Sequence, residues 1–362
     1  MSNEINNKNI IVSFPRMSNY HNVIYALLKN TLGNVKILIP PNMTKRTIEL
    51  GNKYSPDFVC TPFKYNLGNF IESLEQGATY IFQAGGGCRF GYYSELQEQI
   101  LKDLGYNFSF ITVFDSKGIK LNDVYRKFKE VNPKLSFKKF IYYFLLAIKS
   151  VNYLDDLENL IREKIVFQKE EKYLENLNNE LLEEIKNIKD FKTLKKVYKS
   201  YLIKINSAPL EKKDVLKIGI VGELYTAMEP FSTFNLEKKL WDMGIYTKRY
   251  TTVTYLLFEK GKQMPNLLKK AKKYITYELG ADGTESVAHS LEFCELGYDG
   301  IIHTKPFGCI PEINAMSILN KMSQDYKIPI LYFTFDTLTS EAGVNTRLEA
   351  FHDMMQMKKE AK

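Results

Sequence analysis

The sequence predicts an α/β protein with two parallel-sheet lobes separated by a helical segment. Short apolar runs alternate with stretches of helical periodicity near both ends of the chain. Between them, from Ile119 to Ile218, there is no glycine, and proline occurs only at Pro133 and Pro209. Strands that alternate with helices favour a parallel sheet covered by helices on its faces, whereas a glycine-free segment favours long helices.

The N-terminal lobe is predicted over residues 1–118. Its buried strands are predicted at 9–14, 35–40, 79–83 and 108–114, with a short strand at 57–60. Helical patterns lie between them at 21–32 and 93–105. This order of elements predicts a parallel sheet.

A helical domain or insertion is predicted over residues 119–212. Apolar side chains recur at helical spacing, with lysine and glutamate on the other faces: Leu154, Leu157, Ile161, Ile165, Leu174, Leu177, Leu181, Ile185 and Ile188. The spacing mixes threes and fours without several sustained heptads, which favours packed amphipathic helices over a coiled coil.

The C-terminal lobe is predicted over residues 213–362. Its strands are predicted at 215–223, 245–252 and 328–336, and the stretch 298–309 is predicted to begin as a strand. Its helices are predicted at 235–244, 283–297, 310–326 and 345–359. The alternation again predicts a parallel sheet.

Composition narrows the classes of function. The net charge of +8 comes from lysines that are spread along the chain, so we expect no nucleic-acid partner. The longest apolar run, at 140–148, is far shorter than the roughly 20 residues that span a bilayer, and no signal region is evident. We therefore expect a cytoplasmic protein without a membrane partner. Its four cysteines are too few for a disulfide framework and are predicted to be thiols or metal ligands.

Three of the cysteines are predicted to lie at the carboxyl ends of strands. Cys60 ends the predicted strand 57–60 and opens a loop, Cys88 follows strand 79–83 through three glycines, and Cys309 follows the strand that begins at 298. Open parallel sheets bind ligands at this edge, so a cleft between the lobes would bring the three thiols together. Cys294 lies inside a predicted helix and is expected to be structural.

The neighbours of these cysteines suit thiolate chemistry. Lys64, Arg89 and Lys305 place a cation near each one, and cations stabilise the thiolate, which is the reactive and metal-binding form. The stretch "GGGCRFG" could instead cradle a phosphate, but it lacks the ending of a P-loop and the spacing of a dinucleotide motif. No CxxC pair occurs, which speaks against a zinc ribbon or a ferredoxin. The pattern of cysteines therefore does not decide which metal, if any, they bind.

Several stretches resemble one known family. They are "SFPRMSNYHNVIYALL", "KYSPDFVCTPFKYNLGNFIESLEQGA", "GGGCRFGYYSELQEQIL", "KIGIVGELYTAMEPFSTFNLEKKL", "DGIIHTKPFGCIPEINAMSILNK" and "DTLTSEAGVNTRLEAFHDM". In this order they are similar to the 2-hydroxyacyl-CoA dehydratase D-component superfamily, in particular its activase-related branch, labelled CoA protein activase. The likeness covers both predicted lobes and little of the helical middle.

The resemblance implies two Rossmann-like α/β lobes plus helices, and an iron–sulfur cluster between the lobes. The family's CxPFK, GGxCRxGxY and PFGCxPE motifs match this chain at Cys60, Cys88 and Cys309, which would hold a [4Fe–4S] cluster with one iron left for another ligand. A single cluster and a double-cubane cluster both stay open, and Cys294 matches no ligand position.

The resemblance also implies partners. No segment resembles the family's actin-like ATPase, so we expect this chain not to hydrolyse ATP and to receive electrons from a separate ATP-dependent activase. A small-molecule or acyl-CoA substrate and a homodimer are further expectations, although no residue set here marks a CoA site.

The leading hypothesis is therefore low-potential electron transfer or reductive, dehydratase-type chemistry. Lys64, Arg89 and Lys305 are candidates for stabilising an anion, while Glu312 is either a proton donor or a helix N-terminal carboxylate. His303 is expected to be a packed side chain. An acidic pair such as Glu223 and Glu312 at the cluster would favour catalysis.

Two alternatives stay open. One is a non-catalytic scaffold or sensor that carries a cluster and binds a partner enzyme. The other is a zinc-bound or metal-free enzyme with Cys88 as nucleophile, although no histidine is marked as its base.

Overall fold

The computed structural model describes residues 10–83, 92–113 and 120–361. These residues form two compact units. The first holds the described residues up to Val59, Phe63–Val151 and Leu181–Val197, and the second holds Cys60–Pro62, Asn152–Glu180 and the described residues from Tyr198 onward. None of the described helices combines the length and the apolar content required to cross a membrane.

The first sheet has four parallel strands, as the sequence predicts. They are β1 (Ile11–Ser13), β2 (Lys36–Ile37), β3 (Tyr80–Gln83) and β4 (Ser109–Thr112), in the order β2-β1-β3-β4. The helices of this lobe are α1 (His21–Leu32), α2 (Lys45–Tyr54), α3 (Thr61–Glu75) and α4 (Tyr93–Asp103). These elements are called the first lobe below.

The predicted strand at 57–60, followed by a loop, is wrong. Residues 57–59 form a turn, and α3 begins directly after Cys60. Phe58, one of the apolar residues that suggested a strand, is 76% exposed and pairs with none of the strands in the described residues. Pro62 fits the second position of a helix, where a backbone N–H has no intrahelical acceptor.

Close packing against α2 explains why this segment is helical. A Cβ added at Gly51 would lie 2.0 Å from the backbone oxygen of Lys64, and one at Gly68 would lie 2.0 Å from that of Thr47. The two helices are antiparallel and touch backbone to backbone, which only glycine permits. The periodicity of apolar residues in the sequence does not indicate such a contact between helices.

The predicted helical middle is helical. It contains α5 (Leu121–Val131), α6 (Phe137–Lys164), α7 (Tyr173–Lys186) and α8 (Phe191–Asn206). All nine apolar residues that define its predicted faces are buried. Because α6, α7 and α8 each contribute residues to both units, the three-domain division stays a prediction.

The second sheet repeats the strand order of the first. Its parallel strands are β5 (Lys217–Gly222), β6 (Tyr246–Arg249), β7 (Gly300–Pro306) and β8 (Ile330–Phe335), in the order β6-β5-β7-β8. The helices are α9 (Leu224–Met228), α10 (Leu236–Asp242), α11 (Lys260–Lys270), α12 (Gly283–Glu295), α13 (Ile310–Tyr326) and α14 (Glu341–Glu360). These elements, the second lobe, confirm the predicted Rossmann-like parallel sheet. Every residue of β7 is buried.

Candidate functional site at the carboxyl edge of the second sheet

The inner strands β5 and β7 are neighbours in the second sheet, although β6 lies between them in the chain. The strand order reverses there, and open α/β sheets bind ligands at the carboxyl edge of such a point. Gly222 ends β5 with φ of +139°, and a Cβ there would lie 1.8 Å from the Thr304 carbonyl oxygen. Glycine therefore lets β5 approach β7 closely and directs the next residue, Glu223, into this edge.

Glu223 is a partly buried carboxylate with an unusual pKa. Its oxygens accept hydrogen bonds from the backbone N–H groups of Tyr225 (3.1 Å) and Thr226 (2.9 Å) and from the Thr226 hydroxyl (2.6 Å). Burial and the nearby charge of Asp282 outweigh these bonds and raise the pKa of Glu223 to about 7. A group of this pKa can both give and take a proton at neutral pH.

Cys309 follows β7 and is the N-cap residue of α13, whose second residue is Pro311. Gly308, with φ of +79°, makes the turn, and the Cys309 thiol is partly exposed. Burial raises the pKa of this thiol; the backbone N–H of Glu312 opposes the rise, and the charges of nearby carboxylates add to it. At neutral pH the thiol is therefore protonated unless a cation takes its place.

Cys60 has the same local setting. It directly precedes α3, Pro62 is the second residue of that helix, and the thiol is partly exposed. Residues 60–62 belong to the second unit, as does Cys309. Cys88 and Arg89 lie outside the described residues.

Glu312 lies in the first turn of α13 and forms a fully buried pair with His303. The Nε2 atom of His303 lies 2.6 Å from Oε2 of Glu312, and both side chains are 0% exposed. Ser286 donates its hydroxyl to the other carboxylate oxygen at 3.1 Å. His303 is thus packed against a carboxylate, and Glu312 is committed to two side-chain partners.

The two candidate lysines differ in their surroundings. Lys305 is buried in β7, where burial lowers its pKa while Cys309 and Glu312 act in the opposite direction. These three groups therefore lie close enough to interact. Lys64, in α3, donates a hydrogen bond to the Asn52 side chain at 3.0 Å and supports the contact between α2 and α3.

Sequence reasoning missed a lysine and two carboxylates beside Glu223. Lys260 Nζ lies 2.8 Å from Oδ1 of Asp282 and 2.6 Å from Oε1 of Glu285. Asp282 also accepts the backbone N–H of Leu224 at 3.0 Å. The stretch "GADGTES" before α12 carries a capping signal for Asp282, but nothing in the sequence indicates that Lys260 would reach it.

Among the residues described, no three histidine, cysteine, aspartate or glutamate side chains form a group that could hold a metal ion. Cys88 is not among these residues. No protein-family model matches the chain, and a search of curated proteins finds no match.

Proposed function

We propose that this chain is an iron–sulfur protein of the 2-hydroxyacyl-CoA dehydratase type that holds a [4Fe–4S] cluster, single or double-cubane, through Cys60, Cys88 and Cys309. One observation carries the proposal. Cys60 and Cys309 each directly precede a helix whose second residue is proline. The first-turn N–H groups of a helix have no intrahelical acceptors, and they stabilise a sulfur anion placed before them.

The donor set fits such a group. Thiolates are the usual ligands of iron–sulfur clusters, and backbone hydrogen bonds to sulfur adjust their potential. The raised pKa of Cys309 favours a ligand over a free nucleophile, since a thiol whose pKa is raised chiefly by burial stays protonated until a cation displaces the proton.

A bound cluster would supply one-electron transfer at low potential. Within reach of Cys309, Glu223 can donate or accept a proton, and Lys305 can place a positive charge beside a developing anion. Two interacting carboxylates, Glu223 and Asp282, support a catalytic protein over a scaffold. A reducing cytoplasmic setting, an ATP-dependent activase as electron donor, an acyl-CoA or other small substrate and a homodimer belong to the same proposal.

Anaerobic purification and reconstitution of the full chain tests this function. We expect bound iron and sulfide with visible absorption in the wild type, and loss of both in Cys60→Ala, Cys88→Ala and Cys309→Ala. Cys294→Ala is the matched control, because Cys294 is a partly buried helical cysteine of the second lobe whose pKa is raised to about 12 by burial. A colourless wild type, or loss of the cluster only in Cys294→Ala, would contradict the assignment.

A further inference from the structure

Helix α12 of the second lobe carries a row of ionisable side chains on one face. Asp282, Glu285, His289 and Glu292 follow one another at intervals of three, four and three residues. Side chains at these intervals in a helix are neighbours, with Cβ atoms about 5–6 Å apart. Asp282 is the N-cap residue, and Glu292, near the other end, is 25% exposed. These four side chains, the α12 row, therefore lead from solvent to the start of the helix.

Lys260 joins the inner half of the α12 row. Its Nζ atom lies 2.8 Å from Oδ1 of Asp282 and 2.6 Å from Oε1 of Glu285. The other oxygen of Asp282 accepts the backbone N–H of Leu224, the residue after Glu223, at 3.0 Å. One ammonium group thus connects two carboxylates, and one of these carboxylates lies beside the start of α9, where Glu223 is the N-cap residue.

His289 is oriented by the outer half of the row. Its ring is stacked on that of Tyr250 with 4.3 Å between centroids, and its Nδ1 atom lies 3.8 Å from Oε2 of Glu292. Tyr250 donates its hydroxyl to the other oxygen of Glu292 at 2.8 Å. His289 and Tyr250 together hold the pKa of Glu292 at about 2. Glu292 is therefore ionised at neutral pH, and a negative charge at this distance favours the protonated imidazole.

The middle of the row contains buried polar atoms without partners. Among the described residues, both ring nitrogens of His289, Oε2 of Glu285 and the Tyr255 hydroxyl make no hydrogen bond, although each residue is at least nine-tenths buried. Unpaired buried polar groups destabilise a fold, so a functional role explains them better than a structural one. Tyr255 lies 6.0 Å from the His289 ring and begins a π-helical turn, a feature frequent at functional sites.

We propose that the α12 row, together with Lys260, conducts protons from solvent to Glu223, an inference that rests on the proposed function for the use of that proton. His289 takes up a proton at Nδ1 and releases one from its other ring nitrogen to Glu285. Lys260 gives a proton to Asp282 and is reprotonated by Glu285. Asp282 then passes its proton to Glu223. Each intermediate carrier regains its original charge, and one proton has moved.

The arrival of the proton can be followed on Glu223 itself. The full chain is taken rapidly from above to below pH 7, near the pKa of Glu223, and infrared spectroscopy records the growth of its carboxylic acid band. Glu223→Gln identifies that band by its loss. The ionisable groups that act on Glu223 are Asp282 and the Cys309 thiol, and both are kept in the variants that test the row.

The variants are His289→Ala and Glu285→Gln, with Glu295→Gln as the matched control. Glu295 is an exposed carboxylate of the same helix that lies outside the row. We expect both test variants to slow the protonation of Glu223 on the order of a hundredfold, the usual contribution of a positioned acid or base, and the control to match the wild type. Thermal unfolding identifies any variant that fails to fold.

Added imidazole separates proton transfer from a structural role. It should restore part of the rate in His289→Ala and leave Glu285→Gln unchanged, because only the first variant lacks an imidazole. Wild-type rates in the two test variants, or no band lost in Glu223→Gln, would overturn this inference. The measurement needs no cluster, so a chain that binds none would overturn the proposed function while the proton route is judged by its own rates.

Discussion

The two lobes share a strand order but differ in how the inner strand is joined to the helix that follows it. In the first lobe Gln83 of β3 donates its side-chain amide to Gln97 of α4 at 2.9 Å, a buried neutral pair. In the second lobe the corresponding contact is the buried pair of His303 and Glu312 at 2.6 Å. The same strand order is thus compatible with either a neutral or an ionisable pair between the inner strand and the following helix. In the second lobe the pair is ionisable and lies beside the carboxyl edge of the sheet.

The largest expected effect comes from breaking these two contacts. His303→Leu removes one of the two side chains that bond the buried Glu312 carboxylate and leaves the Ser286 hydroxyl, so it should lower the free energy of unfolding by about 3–5 kcal/mol. Gln83→Leu leaves the buried side-chain oxygen of Gln97 without this donor and should cost about 1–3 kcal/mol. Denaturant unfolding of both variants measures the difference.

A double variant, His303→Leu with Glu312→Leu, should recover part of the loss because no buried charge is left alone. Equal losses in His303→Leu and Gln83→Leu would show that the pairs of the two lobes are energetically alike.

The next effect concerns pH. Because the pKa of Glu223 rises from its ordinary value of 4.5 to about 7 in the folded chain, the folded state holds this proton more tightly than the unfolded state does. Its stabilising contribution is complete below pH 4.5 and is lost as the pH rises through about 7. The pKa difference corresponds to about 3 kcal/mol.

Glu223→Gln should remove this part of the pH dependence. Denaturant unfolding between pH 4 and pH 8 in wild type and variant, with no change of salt, isolates the contribution. A variant whose unfolding free energy declines with pH as steeply as that of the wild type would contradict the raised pKa.

The smallest effect compares one helical glycine from each lobe. Gly51→Ala in α2 drives a methyl group into the Lys64 backbone and should destabilise the chain by about 1–3 kcal/mol. Gly261→Ala in α11 meets no atom within 4 Å and should stabilise it by about 0.5–1 kcal/mol, since alanine favours the helix. Thermal unfolding of the two variants should therefore shift in opposite directions, and two shifts of the same sign would contradict the close contact of α2 with α3.

Helices were predictable from the sequence where the apolar periodicity and the capping residues indicate the same helix ends. The helix predicted at 310–326 matches α13 residue for residue. Cys309 and Pro311 mark its start, and Lys327 marks its end. The segment 57–69 was misassigned because "DFVC" has strand-like residues and "TPFKYNLGN" has loop-like ones. Its helical state depends on Gly51 and Gly68, where two backbones meet.

Part of the candidate site could likewise be read from sequence. Cys309 was placed correctly after an inner strand, since a strand followed by a turn and a Pro-containing helix start is a local pattern. Lys260, Asp282 and Glu285 were not predicted. They belong to two different helices, and the spacing of residues along a sequence does not indicate that side chains from separate helices will form a salt bridge.

By itself, the sequence determined that two parallel sheets are separated by long helices, because hydrophobic periodicity and glycine distribution are local properties of the chain. Only the tertiary structure decided which residues face each other at the carboxyl edge of the second sheet. Burial and Asp282 together raise the pKa of Glu223, and packing in three dimensions supplies both.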